Sequence, residues 1–223
     1  MLNCSNDVNF FDLTHTISPK IMVFPKWWHK SVEFEQLGNI SEIGRNTSQM
    51  YLGTHVGTHI DAPMHFIAGG SSVDELEISK FVGETVVLDL REIGPNKELN
   101  IEDLDFHINV KDKILILNFG WSKYFGTEQY YSSQPYLSLD LAKYIVSCEP
   151  KLIGYDMAMP DNPKEGYGHK FDSRIHKEFL SNGIPLLENL KIDTPLPSNI
   201  WLACLPLKLG GLDGSPVRCV GWC

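Results

Sequence analysis

Short apolar runs rich in β-branched residues recur along the chain: TVVLDL (85–90), KILILNF (113–119), KLIGYDM (151–157), IPLLENL (184–190) and IWLACLPLKL (200–209). Runs of this length, bounded by polar or turn-forming residues, read as strands with buried faces. Two intervening stretches have helical character. SLDLAKYIVSCE (138–149) places Ser138 as its N-cap, and DSRIHKEFLSNG (172–183) is opened by Asp172 and closed by Gly183. Strand and helix alternate through the second half, which predicts an α/β fold with a mixed β-sheet flanked by helices. No tandem repeat, low-complexity tract or long polar linker divides residues 1–223, so one domain is expected.

Composition narrows the function classes. The 223 residues are 43% hydrophobic, enough for one well-filled core. With 28 acidic against 19 basic residues and a formal charge of −9, the surface offers no broad attraction to nucleic acid or anionic membrane. The five cysteines, Cys4, Cys148, Cys204, Cys219 and Cys223, form no short-spaced pair and read as reduced thiols, with Cys204 as apolar packing. The opening MLNCSNDVNFFDL lacks a basic start followed by an apolar stretch, and no run is long enough to span a bilayer, so a soluble cytoplasmic protein is expected.

The chemistry concentrates in GTHVGTHIDAPMHF, where His55, His59, Asp61 and His65 fall within eleven residues. Imidazole and carboxylate are ligand types that suit zinc, manganese or iron in a hydrolytic site. In a straight strand His55 and His59 would lie about 13 Å apart, too far for one ion. A helical or tight turn centred on Gly57 brings them together, an extended step leads on to Asp61, and Pro63 keeps Ala62 out of the helical region. His65 then lies close enough to act as an acid or base beside the ion. His15, His29, His107 and His169 are isolated and read as ordinary histidines, although His169 beside GYGH could approach a pocket. GLDGS (211–215) reads as a turn, lacking the lysine and helix of a phosphate loop.

HVGTHIDAPMHF resembles the HxGTHxDxPxHF signature of the cyclase-like metal hydrolases, the family of bacterial kynurenine formamidase and isatin hydrolase. DLTHTISPKIMVFP, NFGWSKYFGTEQYY and LPLKLGGLDGSPVR resemble the family's opening, central and closing segments, so the resemblance spans most of the chain. It implies a swivelling β/α/β fold, homo-oligomers (a homodimer or homotetramer), and one or two zinc or manganese ions per chain. It also implies two further ligands, His176 and Glu188, beside His55, His59 and Asp61. Read locally, Glu188 lies in an apolar strand, where its carboxylate needs either an arginine or a metal.

The reaction implied is metal-assisted hydrolysis of an amide in a small molecule. Asp61 bridges two ions, one held by His55 and His59 and the other by His176 and Glu188, while His65 transfers the proton and Glu188 assists. In kynurenine formamidases an aromatic residue before a proline, usually followed by Gly-Asp, packs on the substrate. Here Phe24 and Pro25 keep that pair, but Lys26, Trp27, Trp28 and His29 follow. An aromatic substrate against Phe24 remains implied, while kynurenine specificity does not; Trp27 and Trp28 are equally readable as core or subunit-interface residues. Hydrolysis of a cyclic amide, ring closure, or metal binding without catalysis are the alternatives on the same residues.

Overall fold

The computed structural model describes residues 8–104, 109–165 and 172–223. Its strands in chain order are β1 Phe10–Asp12, β2 Glu33–Gly38, β3 Thr47–Tyr51, β4 His59–Asp61, β5 Val82–Asp89, β6 Glu98–Leu99 and β7 Ile114–Asn118. They continue with β8 Tyr136–Leu137, β9 Leu152–Tyr155, β10 Leu186–Glu188, β11 Asn199–Ala203, β12 Gly214–Pro216 and β13 Val220–Trp222. The α-helices are α1 Ile40–Ile43, α2 Glu128–Ser132, α3 Leu139–Ser147 and α4 Arg174–Ser181.

Nine strands form one mixed sheet in the order β1-β13-β11-β5-β7-β9-β10-β4-β12. Its centre, β5, β7, β9 and β10, is parallel, and antiparallel strands flank it on both sides. Each residue of β7 and β9 is buried, which is why these strands carry unbroken apolar runs in place of alternation.

The two faces are covered differently. Leu115, Leu117, Ile153 and Leu186 pack with Leu141, Ala142 and Ile145 of α3 and Ile175, Phe179 and Leu180 of α4. On the other face Ile114, Ile116, Leu152 and Leu187 share a core with Leu13, Ile60, Val217 and Cys219, contributed by or beside outer strands from both halves of the sheet. The sheet therefore curls over that face and closes it with its own margins. The expected flanking by helices is met by α-helices on one face, while the other receives only Val73 and Phe81 from short 3₁₀ turns.

Several predicted boundaries shift for identifiable reasons. IWLACLPLKL is a strand only to Ala203, because Pro206 cannot donate to a ladder and Leu205 and Leu207 are exposed. KLIGYDM stops at Tyr155, since the Asp156 carboxylate turns to accept the N–H groups of Phe119, Trp121 and Ser122. Ser138 caps α3 as expected, accepting from Leu141 N–H at 3.2 Å. For α4 the expected cap is corrected: Ser173 occupies the cap position, and the helix's N–H groups at Ile175 and His176 are taken by Asp161. Gly183 closes α4, its N–H bonded to Leu180 O while Ile184 N–H bonds to Phe179 O.

Away from the main sheet, β2 and β3 pair only with each other and are exposed at every position except Gly38. Phe34, Leu37, Ile40, Ile43, Met50 and Tyr51 of this hairpin and its connecting turn face solvent. Among the described residues no helix is long and apolar enough to cross a membrane. Cys148, Cys204, Cys219 and Cys223 are unpaired, and Cys4 lies outside the described residues.

Candidate metal centre

The curled sheet assembles the centre from three neighbouring strands. In the β4–β10 register Glu188 faces His59, and Leu186 faces Asp61. Strand alternation puts His59 and Asp61 on the face toward α4 while Ile60 enters the opposite core. His55 arrives on a bend in which Gly57 has φ 62°, so of the expected helical or tight turn the chain takes the non-helical form, with Gly57 supplying the left-handed backbone as anticipated. Ala62 is extended at φ −89°, ψ 158° before Pro63, and His65 follows on the short 3₁₀ turn Pro63–His65. His176 joins from the buried face of α4.

Asp61 stands between two groups of ligand atoms. On one side its Oδ1 is 2.7 Å from His55 Nδ1 and 3.2 Å from His59 Nε2. On the other, His176 Nε2 is 3.1 Å from Glu188 Oε1 and 3.8 Å from Asp61 Oδ2. His59 Nε2 lies 3.5 Å from Glu188 Oε2 and joins the halves. Outer contacts fix the rings: His59 Nδ1 faces Gly57 O at 2.8 Å and His176 Nδ1 faces Asp161 Oδ2 at 2.5 Å, so each proton sits outward and each Nε2 turns to the carboxylates. Tyr155 O–H donates to Glu188 Oε1 at 2.6 Å.

Burial opposes charge on His55, but the carboxylates of Asp61 and Asp213 outweigh it and raise its pKa to about 10. His176 is likewise lifted to about 10, burial being outweighed by Asp161 and Glu188. Burial alone would raise Asp61, yet His55 and His65 hold its carboxyl well below the usual range.

The donor set fits a divalent cation. Asp61 and Glu188 are 1% and 5% exposed, and the groups facing them are histidines and one tyrosine, none with a permanent positive charge. Among the described residues Glu188 has no arginine partner. Buried carboxylates without fixed counter-charge are costly unless a cation joins them, and nitrogen with carboxylate oxygen is a set that zinc and manganese both accept.

His55, His59, Asp61, His65, His176, Glu188 and Phe24 all line one cavity of about 250 Å³. Phe24 forms part of its wall, edge-on to Tyr131 at 5.7 Å. Trp28 also lines it, whereas Trp27 is 80% exposed and is therefore not a core residue.

Four residues of the site were not singled out by sequence. His29, read as an ordinary histidine, stands in the cavity wall 6.3 Å from the His55 ring, where burial and the neighbouring histidines lower its pKa to about 4. Asp161 follows the end of a parallel strand, a place where functional residues gather in α/β sheets, and that position was its one available signal. Tyr155 was hidden by the apolar run around it. Asp213 lay in the segment read as a turn, yet its Oδ2 is 2.8 Å from His55 Nε2 and 3.1 Å from His65 Nδ1. His107 and His169 lie outside the described residues.

Residues 11–162 match a protein family described as "Putative cyclase". The kynurenine formamidase of Bacillus thuringiensis subsp. konkukian (strain 97-27) is 30% identical over 175 residues, covering 78% of this chain and 79% of that protein. The kynurenine formamidase of Geobacillus thermodenitrificans (strain NG80-2) is 30% identical over 211 residues, covering 94% and 95%. A crystal structure of an isatin hydrolase bound to the product analogue thioisatinate superposes with a TM-score of 0.85 at 22% identity, covering 98% of this chain and 94% of that one, a likeness of fold.

Proposed function

The chain belongs to the cyclase family matched over residues 11–162, and we propose that it is a metal-dependent hydrolase that cleaves the amide C–N bond of a small, aromatic substrate, in the manner of a kynurenine formamidase. The observation that carries this reading is Asp61, a buried carboxylate shared by the groups His55–His59–Asp61 and Asp61–His176–Glu188 on the floor of one cavity. His55, His59 and Asp61 would hold one cation, and Asp61, His176 and Glu188 a second. Zinc and manganese both suit these donors.

A bound divalent cation supplies a Lewis acid for the substrate carbonyl and lowers the pKa of a nearby water. The protein's own groups do the rest. Phe24 and Phe66 form apolar walls for an aromatic ring, and His29 presents an imidazole beside them. Glu188, with Tyr155 donating to its Oε1, accepts the proton released by the attacking water. His65, in contact with the same cavity but outside the two groups that share Asp61, protonates the leaving nitrogen as the bond breaks.

Hydrolysis of a cyclic amide uses the same groups with a tethered leaving nitrogen. It is the second reading, favoured by the change after Pro25 from the usual Gly-Asp to Lys26 and Trp27. The assembly proposed is a homodimer or homotetramer, and the exposed apolar hairpin Glu33–Tyr51 is the surface that supports it, since a lone two-stranded hairpin is marginal in water.

The test is turnover of N-formylkynurenine, and separately of isatin, before chelation, after chelation and after return of zinc or manganese. Chelator-sensitive formamide hydrolysis supports the first reading and metal-dependent ring opening of isatin alone the second. Turnover that survives complete metal removal contradicts both.

A further inference from the structure

Asp213 is held against the ligand-bearing strand by backbone contacts. Its carbonyl accepts from Ala62 N–H at 2.9 Å, and the next residue, Gly214, opens β12 opposite Asp61. A Cβ on Gly214 would lie 2.6 Å from Ile60 O and 2.9 Å from His55 Cε1, so only glycine lets β12 approach this closely. The turn chemistry of Leu212, Asp213 and Gly214 is thus tied to one placement of the Asp213 carboxylate.

That carboxylate meets two histidines of different roles. Oδ2 faces His55 Nε2 at 2.8 Å and His65 Nδ1 at 3.1 Å, while Oδ1 accepts from Thr54 Oγ1–H at 3.0 Å. The two rings lie side by side, 3.9 Å between centroids and tilted by 31°. An ionised carboxylate only accepts, so each ring nitrogen facing it carries a proton. His55 Nδ1 faces the Asp61 carboxylate at 2.7 Å and would give up its proton to a cation bound there, while His65 Nε2 is left as the nitrogen that exchanges protons with substrate.

Resting on the metal-dependent reading above, we propose that Asp213 is a positioning residue that fixes both tautomers at once, coupling the metal-ligand ring of His55 to the proton-transfer ring of His65. His55, His65 and Asp213 also stand close enough to hold an ion together, so ligation by Asp213 is the rival that the ion count below separates from positioning. Removing Asp213 takes away the acceptor that both rings share, so that the proton of neither ring is tied to one nitrogen by this carboxylate.

The test uses wild-type protein, Asp213→Asn, which keeps shape and removes charge, and Thr54→Val, which removes only the hydroxyl that steadies Oδ1. Each is checked for native circular dichroism, titrated with zinc against a chromophoric chelator, and assayed for N-formylkynurenine turnover. Asp213→Asn is expected to bind as many ions as wild type, with affinity about 10- to 100-fold weaker and with the activity loss in kcat and not KM. Thr54→Val is expected to weaken zinc roughly 2- to 5-fold in the same direction. Wild-type zinc affinity in both variants overturns the proposal, and so does the loss of an ion from the Asp213→Asn stoichiometry, which would make Asp213 a ligand. A wild-type protein that binds no zinc or manganese overturns the metal-dependent reading itself, whereas zinc bound equally by all three proteins overturns only the role of Asp213.

Discussion

The carboxylate of Asp161 accepts two hydrogen bonds from His176, one from its backbone N–H at 3.1 Å and one from ring Nδ1 at 2.5 Å. One side chain thereby begins helix α4 and fixes the tautomer of a ligand that the helix carries. Fold and site share this contact, so Asp161→Ala is expected to do double damage. Loss of the cap and of the buried ring acceptor should lower unfolding free energy by about 2 kcal/mol in denaturant titration and weaken metal binding in the same protein. Full stability with weakened metal, or the reverse, would separate the two functions.

His65 tests the proton-transfer assignment. It lines the cavity but is a member of neither ligand group that shares Asp61. His65→Ala is expected to reduce kcat by about 10²- to 10⁴-fold while metal content stays at the wild-type level. Unchanged turnover would remove its role, and lost metal would make it a ligand.

Gly214→Ala probes the close approach of β12. The added methyl would meet the Ile60 carbonyl and the His55 ring at once. Thermal unfolding should register a loss of about 1–3 kcal/mol, accompanied by reduced metal occupancy, because backbone cannot yield as a flexible side chain would.

Stability of the metal-free protein should follow a dome in pH. His55 and His176 are raised to about 10 in the fold against 6.5 unfolded, so their contribution is complete below 6.5 and is lost as pH climbs toward 10. His15, lowered to about 4 by burial, and His29, lowered to about 4 by burial and neighbouring histidines, act oppositely: between pH 4 and 6.5 the unfolded chain binds more protons, and stability rises with pH. Asp156, raised to about 6 by burial, offsets part of that rise. Urea midpoints measured from pH 4 to 10 after chelation should peak near 6.5, and added zinc should flatten the alkaline limb.

The hairpin predicts assembly. Leu37→Asp with Met50→Lys, both on exposed apolar positions, should lower the solution mass by light scattering to that of one chain without changing metal content. A wild-type protein already of one-chain mass would refute the assembly.

Strands β7, β9 and β10 at the parallel centre of the sheet were legible because they are buried on both faces and lie in apolar runs such as KILILNF. Strands β1, β4, β12 and β13 were not, since three residues carry too little periodicity and their pairing is decided by distant partners. In the site, the dense run from His55 to His65 announced itself by ligand type and spacing, and the resemblance supplied His176 and Glu188. Asp161 and Asp213 act at 15 and 158 residues' separation from the histidines they orient. Nothing local distinguishes such aspartates from those of ordinary turns.

Asp61 is the residue on which both proposed cation sites depend, and the most direct measurement is elemental analysis of zinc-loaded and manganese-loaded wild type beside folded Asp61→Ala. One or two ions per wild-type chain, falling to near zero in the variant, is the expected result. Wild-type occupancy in Asp61→Ala, or no metal in wild type under either loading, would contradict the shared-carboxylate centre.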